Sequence, residues 1–315
     1  MASMEIDQQP TLFYDFDLRF PPLSRTVAEV SDLLGANGMP DTDRLINIVH
    51  MDPLVVASVL KRINSAFYGM RQQFQDIRKA ILMIGFIEVC NIVLASGYVG
   101  LRKEMNSDAQ TKIIERIMRV SIGSGFFADL ISQHLRLPEK SSAFTAGLLH
   151  NVGRFVLLYN VPDAYERLFR EHPDQYIPSA EAETNMMGID HSSIGAIAAQ
   201  HWNFPELVTS LIESYQKPGQ LTEANHRTLA LVLAASSSMA QQLCTGYDEL
   251  KRGEVSETES DVIESGSSIP QLPIEYPEFL TQVAQDKNTS AEELQELIAT
   301  NQHKAIEYIE MMMNV

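Results

Sequence analysis

The sequence predicts an all-α protein, and three observations carry the prediction. Apolar residues recur three and four positions apart along nearly the whole chain, the spacing of one helical face. Aspartate or serine stands where such faces begin, most plainly in Asp52-Pro53 and in Ser290 followed three residues on by Glu293, as N-cap chemistry requires. No alternation of apolar and polar residues is sustained beyond a few positions, so half-buried strands are not expected. With 315 residues, 45% of them hydrophobic, the chain can bury a sizeable core in one large domain or two modest ones.

The elements follow in order. After a mostly polar lead, 1–17, Pro21-Pro22-Leu23-Ser24 introduces a helix from Thr26 to Leu34 that Gly35-Ala36-Asn37-Gly38 stops. Asp41 or Thr42 caps the next, which turns Leu45, Ile46, Ile48 and Val49 inward. Asp52 and Pro53 read as N-cap and first position of a third. Its run Leu54-Val55-Val56-Ala57-Ser58-Val59-Leu60 is rich in β-branched residues, yet it continues through Lys61-Arg62-Ile63 without a turn signal and reads as helix. Asp76 opens a helix with Ile77, Ala80, Ile81 and Ile84 on one face; Gly85 interrupts it, and a second apolar segment runs to Ala95. A long amphipathic helix spans Asp108 to Leu135, and a single apolar helix spans Ser141 to Tyr159, closed by Asn160-Val161-Pro162. Shorter helices are expected over 163–171, 179–187, 192–201 and 205–214, and a longer one over 224–245. The Ser/Gly/Glu-rich stretch 246–275 buries too little apolar area to offset its ordering entropy and reads as an acidic mobile loop. Two helices fill 276–315, the last capped by Ser290 and carrying Leu294, Leu297, Ile298, Ile306 and Ile309 towards a packed end at Met311-Met312-Met313.

Charge narrows the function. The formal net charge is −17, from 24 basic and 41 acidic side chains. Such a surface repels phosphate backbones and anionic headgroups, which argues against nucleic acid and membrane surfaces as partners. The excess is local: residues 1–217 hold 25 acids and 19 bases, residues 218–315 hold 16 and 5. Cys90 and Cys244 lie among apolar neighbours and read as buried, reduced thiols rather than a disulfide. The beginning of the chain lacks a signal peptide's basic and apolar regions. The longest apolar stretch, Ile81 to Val99, is broken by Glu88 and Asn91 and reads as a buried helix. A soluble, cytoplasmic protein is expected. No phosphate-binding loop, dinucleotide fingerprint, zinc-spaced cysteine pair or nucleophile elbow occurs, so no cofactor is expected.

Three stretches stand out. The first is Asp52-Pro53 with Asn64-Ser65-Ala66-Phe67-Tyr68-Gly69 and Ala80-Ile81-Leu82-Met83-Ile84-Gly85. The second is Ala146-Gly147-Leu148-Leu149-His150-Asn151-Val152-Gly153-Arg154. The third is Gly188-Ile189-Asp190-His191-Ser192-Ser193-Ile194-Gly195, then His201-Trp202-Asn203-Phe204-Pro205. In this order and spacing they resemble the HDOD family, the HD-related output domain of bacterial signalling proteins, over residues 18–245. The resemblance implies an all-α fold: a helical bundle of the family's own over 18–105, and over 106–245 a half related to the HD metal-dependent phosphohydrolases. It also implies signalling protein partners, or a nucleotide or other small ligand. Relatives often carry receiver, GGDEF or EAL modules, none of which is visible here.

An HD hydrolase needs imidazole and carboxylate ligands converging on a divalent metal that generates hydroxide near neutral pH. The resemblance places Val120 at the early ligand position, His150-Asn151 at the His-Asp pair and Ser236 at the distal aspartate; Ser214-Tyr215 stands where relatives often carry a His pair. Asn is a far weaker ligand for a dication than a carboxylate. Val120, Asn151 and Ser236 therefore read as lost metal-ligand positions, with no metal expected. Two readings of His191 stand: Asp190 or Ser192 caps the helix while His191 bonds nearby backbone, or His191 joins His150, Asn151 and Arg154 in lining a remnant cleft where Arg154 could hold a phosphate or carboxylate. The sequence reading is thus a non-catalytic regulatory protein, with an HD-type phosphohydrolase as the alternative. Trp202 reads as packing at a helix end, and His201 as interacting with a helix C-terminus.

Overall fold

A computed structural model describes residues 18–21, 23–35, 41–70, 73–102, 107–253 and 271–313. The protein is all-α, and among the described residues no strand occurs. The helices are α1 (Arg25–Gly35), α2 (Thr42–His50), α3 (Pro53–Ile63), α4 (Ile77–Ile84), α5 (Phe86–Arg102), α6 (Asp108–His134), α7 (Lys140–Leu149), α8 (Val152–Asn160), α9 (Pro162–Glu171), α10 (Ala180–Met187), α11 (His191–His201), α12 (Glu206–Ser214), α13 (Ala224–Arg252), α14 (Glu278–Lys287) and α15 (Ala291–Met313). A short 3₁₀ turn, Ala66–Tyr68, follows α3.

Capping chemistry sets the boundaries. Asp41 accepts the Arg44 amide at 2.8 Å, and Asp76 the Lys79 amide at 3.2 Å. Asp52 accepts the Leu54 and Val55 amides at 3.0 and 3.2 Å, and its other oxygen accepts the Thr26 hydroxyl at 2.8 Å, tying α1 to the start of α3. Gly85 sits at φ 94°, a left-handed conformation that costs glycine little, and α4 and α5 meet there at 110°. No single described helix is long and apolar enough to cross a membrane, and the bent α4–α5 pair has the hydropathy but carries core residues from Ile77 to Ala95. Burial pushes the Cys90 and Cys244 thiols up to about 12, as inert reduced cysteines require.

Helix α6 is the central element, packed on α7, α13 and α15. Its small residues Ser121, Gly123, Ser124 and Gly125 are what let the neighbours in: a Cβ on Gly147 of α7 would lie 2.6 Å from the Gly125 Cα. The α1–α5 group docks on this second half through α5 and α7 and through the chain before α1. Phe20 stacks at 4.4 Å on His201, the exposed last residue of α11, the Ser31 hydroxyl donates to the Trp202 carbonyl at 2.7 Å, and the half-buried Trp202 ring packs against the core.

Three segments differ from the sequence reading. The apolar run from Ser141 to Tyr159 is two helices, not one. The His150 imidazole donates to the Gly147 carbonyl at 2.6 Å, the acceptor that the Asn151 amide would use in a continuous helix. Helix α13 runs seven residues past 245, because its polar end is docked: Asp248 accepts from Tyr176 at 3.0 Å and Lys251 reaches Glu310 at 3.0 Å. The 246–275 loop is therefore helical up to Arg252. Its last residues are extended and held, with Leu272 buried and its amide donating to Gln302 at 2.9 Å. Residues 254–270 of that expected loop, and the lead 1–17, lie outside the described residues.

The acidic C-terminal helices pack into the core. Leu294, Ile298, Ile306 and Ile309 of α15 are buried against α6 and α13. The end of α15 reaches the first half, where Arg62 donates to the Met312 carbonyl at 3.1 Å and Tyr308 donates to Glu88 at 2.9 Å. Met312 is 1% exposed, so the terminal methionines are packed as expected.

Candidate functional site

The break between α7 and α8 positions the site. His150 closes α7, Asn151 opens α8, and Arg154 points inward from the first turn of α8. Helix α11 meets α8 backbone to backbone: a Cβ on Gly153 would lie 2.0 Å from the His191 carbonyl and 2.6 Å from the Gly195 amide nitrogen. That approach brings His191, the first residue of α11, beside Arg154, their side-chain nitrogens 3.5 Å apart. Asp190 caps α11 by accepting the Ser193 amide at 2.9 Å, so Asp190 rather than Ser192 is the cap, and His191 is free to turn into the centre.

All four expected residues come together, and all are buried: His150 is 0% exposed, Asn151 2%, Arg154 3% and His191 1%. The residue that organises them was not read from the sequence. Glu183 of α10, 0% exposed, forms a very short ion pair with Arg154. It also accepts the Tyr165 hydroxyl at 2.9 Å, and its second oxygen takes the His191 amide at 2.8 Å and His191 Nδ1 at 2.6 Å. Arg154 further donates to Asn151 Oδ1 at 2.9 Å and to the Pro178 carbonyl at 2.9 Å. Its Nε and Nη1 are committed inside the protein, whereas among the described residues Nη2 meets only His191 Nε2 at 3.5 Å. A signal for Glu183 existed: it shares a face of α10 with buried Met187, one turn on.

The protonation states follow from these partners. Burial raises the Glu183 pKa, but Arg154 and His191 more than offset it and hold the carboxylate below its usual range. Burial and the Arg154 charge lower the His191 pKa, against the pull of Glu183. A neutral His191 with Nδ1–H facing Glu183 leaves Nε2 to accept the Tyr215 hydroxyl at 2.7 Å. His150 donates from Nδ1 to a carbonyl, so Nε2 accepts the Ser237 hydroxyl at 3.0 Å; burial drives its pKa down to about 3. A depressed histidine pKa makes stability fall with acidity, because the unfolded imidazole takes a proton near pH 6.5 that the folded one refuses. We expect unfolding free energy to drop between pH 6.5 and 3 by about 1.4 kcal/mol per pH unit for His150, more where His191 adds to it. Urea melts at stepped pH measure the slope, and His150→Asn should flatten it by about that amount; an unchanged slope contradicts a buried neutral His150.

The positions of an HD metal can be tested against these contacts. Val120 supplies no ligand atom. His150 is engaged at both nitrogens, and the Asn151 carbonyl oxygen is taken by Arg154 while its amide donates to Ser121 at 3.2 Å. The Ser236 hydroxyl is buried without a hydrogen-bond partner among the described residues. Among those residues no group of three or more His, Cys, Asp and Glu is placed to hold a metal ion. This donor set does not fit a divalent cation.

Above the centre lies a cleft of about 900 Å³. Arg154, His191, Tyr215 and Gln216 form part of its wall; His150 and Asn151 do not line it. Helix α13 contributes Ser237, Gln241 and Gln242, and the extended segment before α14 contributes Ile274 and Glu275. Gln242 grips that segment twice, donating to the Glu275 carbonyl at 2.8 Å and accepting its amide at 2.7 Å.

Two helical halves, the second broken at His150-Asn151 where a buried Arg154-Glu183 pair is wired in, define an HD-like helical protein. The chain belongs to the HDOD family: residues 20–218 match the model of the HDOD domain. The match ends before α13, whose Ser237 and Gln242 help to build the site. An uncharacterized protein of Treponema pallidum (strain Nichols) is 28% identical over 169 residues, 53% of this chain. The aligned part spans 32% of that protein, about a third of its length. Solved structures share the fold. An HDOD domain protein of unknown function from Geobacter sulfurreducens superposes with a TM-score of 0.67 at 15% identity, covering 94% of this chain and 93% of that one. A Marinobacter aquaeolei VT8 protein, provisionally described as a signal transduction protein, gives 0.64 at 21% identity over 93% of this chain and 60% of its own. A Shewanella amazonensis SB2B protein, provisionally described as a phosphohydrolase, gives 0.63 at 19% over 93% and 95%.

Proposed function

We propose that the chain is a non-catalytic regulatory protein of bacterial signalling, acting in the cytoplasm through its HDOD domain by binding a protein partner or small ligand. The observation that carries this reading is the fate of the HD centre. The groups that would hold a metal and activate water are spent on one another: His150 on Gly147 and Ser237, Asn151 on Ser121 and Arg154, and Arg154 on Glu183. A degenerate metal site of this kind has become a rigid polar core. The cleft above it, closed on one side by α13 and the extended segment, is the place where a ligand would bias the packing of α10, α11 and α13. Binding shifts such an arrangement only if the ligand has different affinities for the two states.

The alternative is an HD-type phosphohydrolase acting on a nucleotide or cyclic dinucleotide with unusual ligands. Metal analysis of protein purified without chelator, with turnover assays in Mn²⁺, Fe²⁺ or Mg²⁺, separates the two readings. We expect substoichiometric metal and no turnover that depends on His150. Stoichiometric metal together with turnover abolished by His150→Ala would overturn the regulatory reading.

A further inference from the structure

A second cavity, remote in sequence from the His-Arg-Glu centre, lies at the joint between the two halves. It has a volume of about 520 Å³, in the range of small-ligand sites. The 3₁₀ turn supplies Phe67 and Tyr68, α6 supplies Phe126, α7 supplies Phe144 and α15 supplies Tyr308. The rings form the walls of a box rather than a stack: the centroids of Phe67, Phe126 and Phe144 lie 5.1, 5.6 and 5.9 Å from that of Tyr308, inclined by 59°, 42° and 81°.

A carboxylate is built into this box. Glu88 of α5 lines the cavity, and Tyr68 and Tyr308 donate to its Oε1 at 2.6 and 2.9 Å. No donor to Oε2 is present among the described residues. A second carboxylate, Asp129, also lines the cavity and accepts from Gln133 at 2.5 Å. Neither acid belongs to an ion pair among the described residues. Two positive groups are near, Lys140 acting on Asp129 and Arg62 on Glu88, but neither pairs with its acid directly. Lys140 is an exposed residue of the lining, while the buried Arg62 is turned to Met312, donating to its sulfur at 2.9 Å and its carbonyl at 3.1 Å.

We propose that this cavity binds a small organic monocation, an alkylammonium ion, with the charge held over the aromatic faces and against the Glu88 carboxylate. Ring quadrupoles and a partly desolvated carboxylate both favour a diffuse cation. An anion would meet two acids, and a bare metal ion would find rings where it needs lone pairs. An uncharged apolar molecule would give no counter-charge to the half-buried Glu88 and Asp129, whose pKa values burial raises. Because the walls come from both halves and from α15, an occupant would bind the N-terminal group, the HD-like half and the C-terminal helix to one another. The inference stands apart from the metal question at His150.

Calorimetric titration of the full chain with choline and n-butylammonium tests it, with 3,3-dimethylbutan-1-ol as the uncharged counterpart of choline. We expect at least one cation to bind with a dissociation constant below about 1 mM and the alcohol to bind about tenfold more weakly or not at all. Glu88→Gln, which keeps an acceptor for both phenols, and Phe126→Leu should each weaken the cation about tenfold, whereas His150→Asn should not change it. Thermal melts confirm that each variant is folded; if Glu88→Gln is not, Phe126→Leu decides alone. No binding of either cation below about 10 mM, equal binding of the alcohol, or affinity untouched by the folded cavity variants would overturn the proposal.

Discussion

Glu183→Ala is expected to destabilise the protein by about 3–5 kcal/mol, the cost of leaving a buried charge without its partner. Glu183 is where Arg154, Tyr165 and His191 converge, and all three side chains are buried. The charge, more than the contact, sets the size of the effect. Glu183→Gln retains shape and one oxygen yet still leaves the guanidinium unneutralised, so it should also fall well below the wild type. Replacing the pair together, Arg154→Met with Glu183→Met, removes both buried charges and should recover part of the loss. Urea denaturation of the three variants reads this directly. A loss under about 1 kcal/mol for Glu183→Ala would mean that Arg154 finds another counter-charge or reaches solvent.

Gly153→Ala is expected to cost about 3 kcal/mol or more, although it adds a single methyl group. That methyl would lie 2.0 Å from the His191 carbonyl oxygen and 2.6 Å from the Gly195 nitrogen. Both are backbone atoms at the start of α11 and cannot rotate aside, so α8 and α11 must separate. Separation would draw His191 away from Arg154 and Tyr215 and loosen the wall of the cleft. Gly219→Ala is the matched control: nothing lies within 4 Å of its added Cβ, and its change should stay within about 0.5 kcal/mol. Equal stabilities for the two variants would show that the helices are less closely apposed than described.

Much of the fold was legible because helix signals are local. Asp41, Asp52, Asp76 and Ser290 announce helix starts through their own side chains, and the β-branched run after Pro53 was read as helix because no turn residue interrupts it. What was not legible depends on distant partners. The end of α13, polar by composition, is helical because Tyr176 and Glu310 receive Asp248 and Lys251. His150 breaks an apolar run that periodicity makes continuous, through a bond from its own ring. At the site, motif spacing singled out His150, Asn151, Arg154 and His191, yet Glu183 carries no motif. Only the burial of an arginine and a histidine side by side demands an acid there. The weakness of the metal ligands was readable from residue types; the engagement of each with a neighbour was not.

The last helix also constrains the order in which the molecule can be completed on the ribosome. Arg62 and Glu88 emerge early, but their partners Met312 and Tyr308 follow more than two hundred residues later. Until translation has passed Met312, the joint between the halves holds an arginine and a glutamate without these partners, beside rings not yet enclosed. Contacts of such long sequence separation form late and set the pace of folding. A chain that stops before α15 would therefore expose that joint. Its fate would be decided by the proteases and chaperones that recognise uncovered apolar surface, before any question of signalling arose.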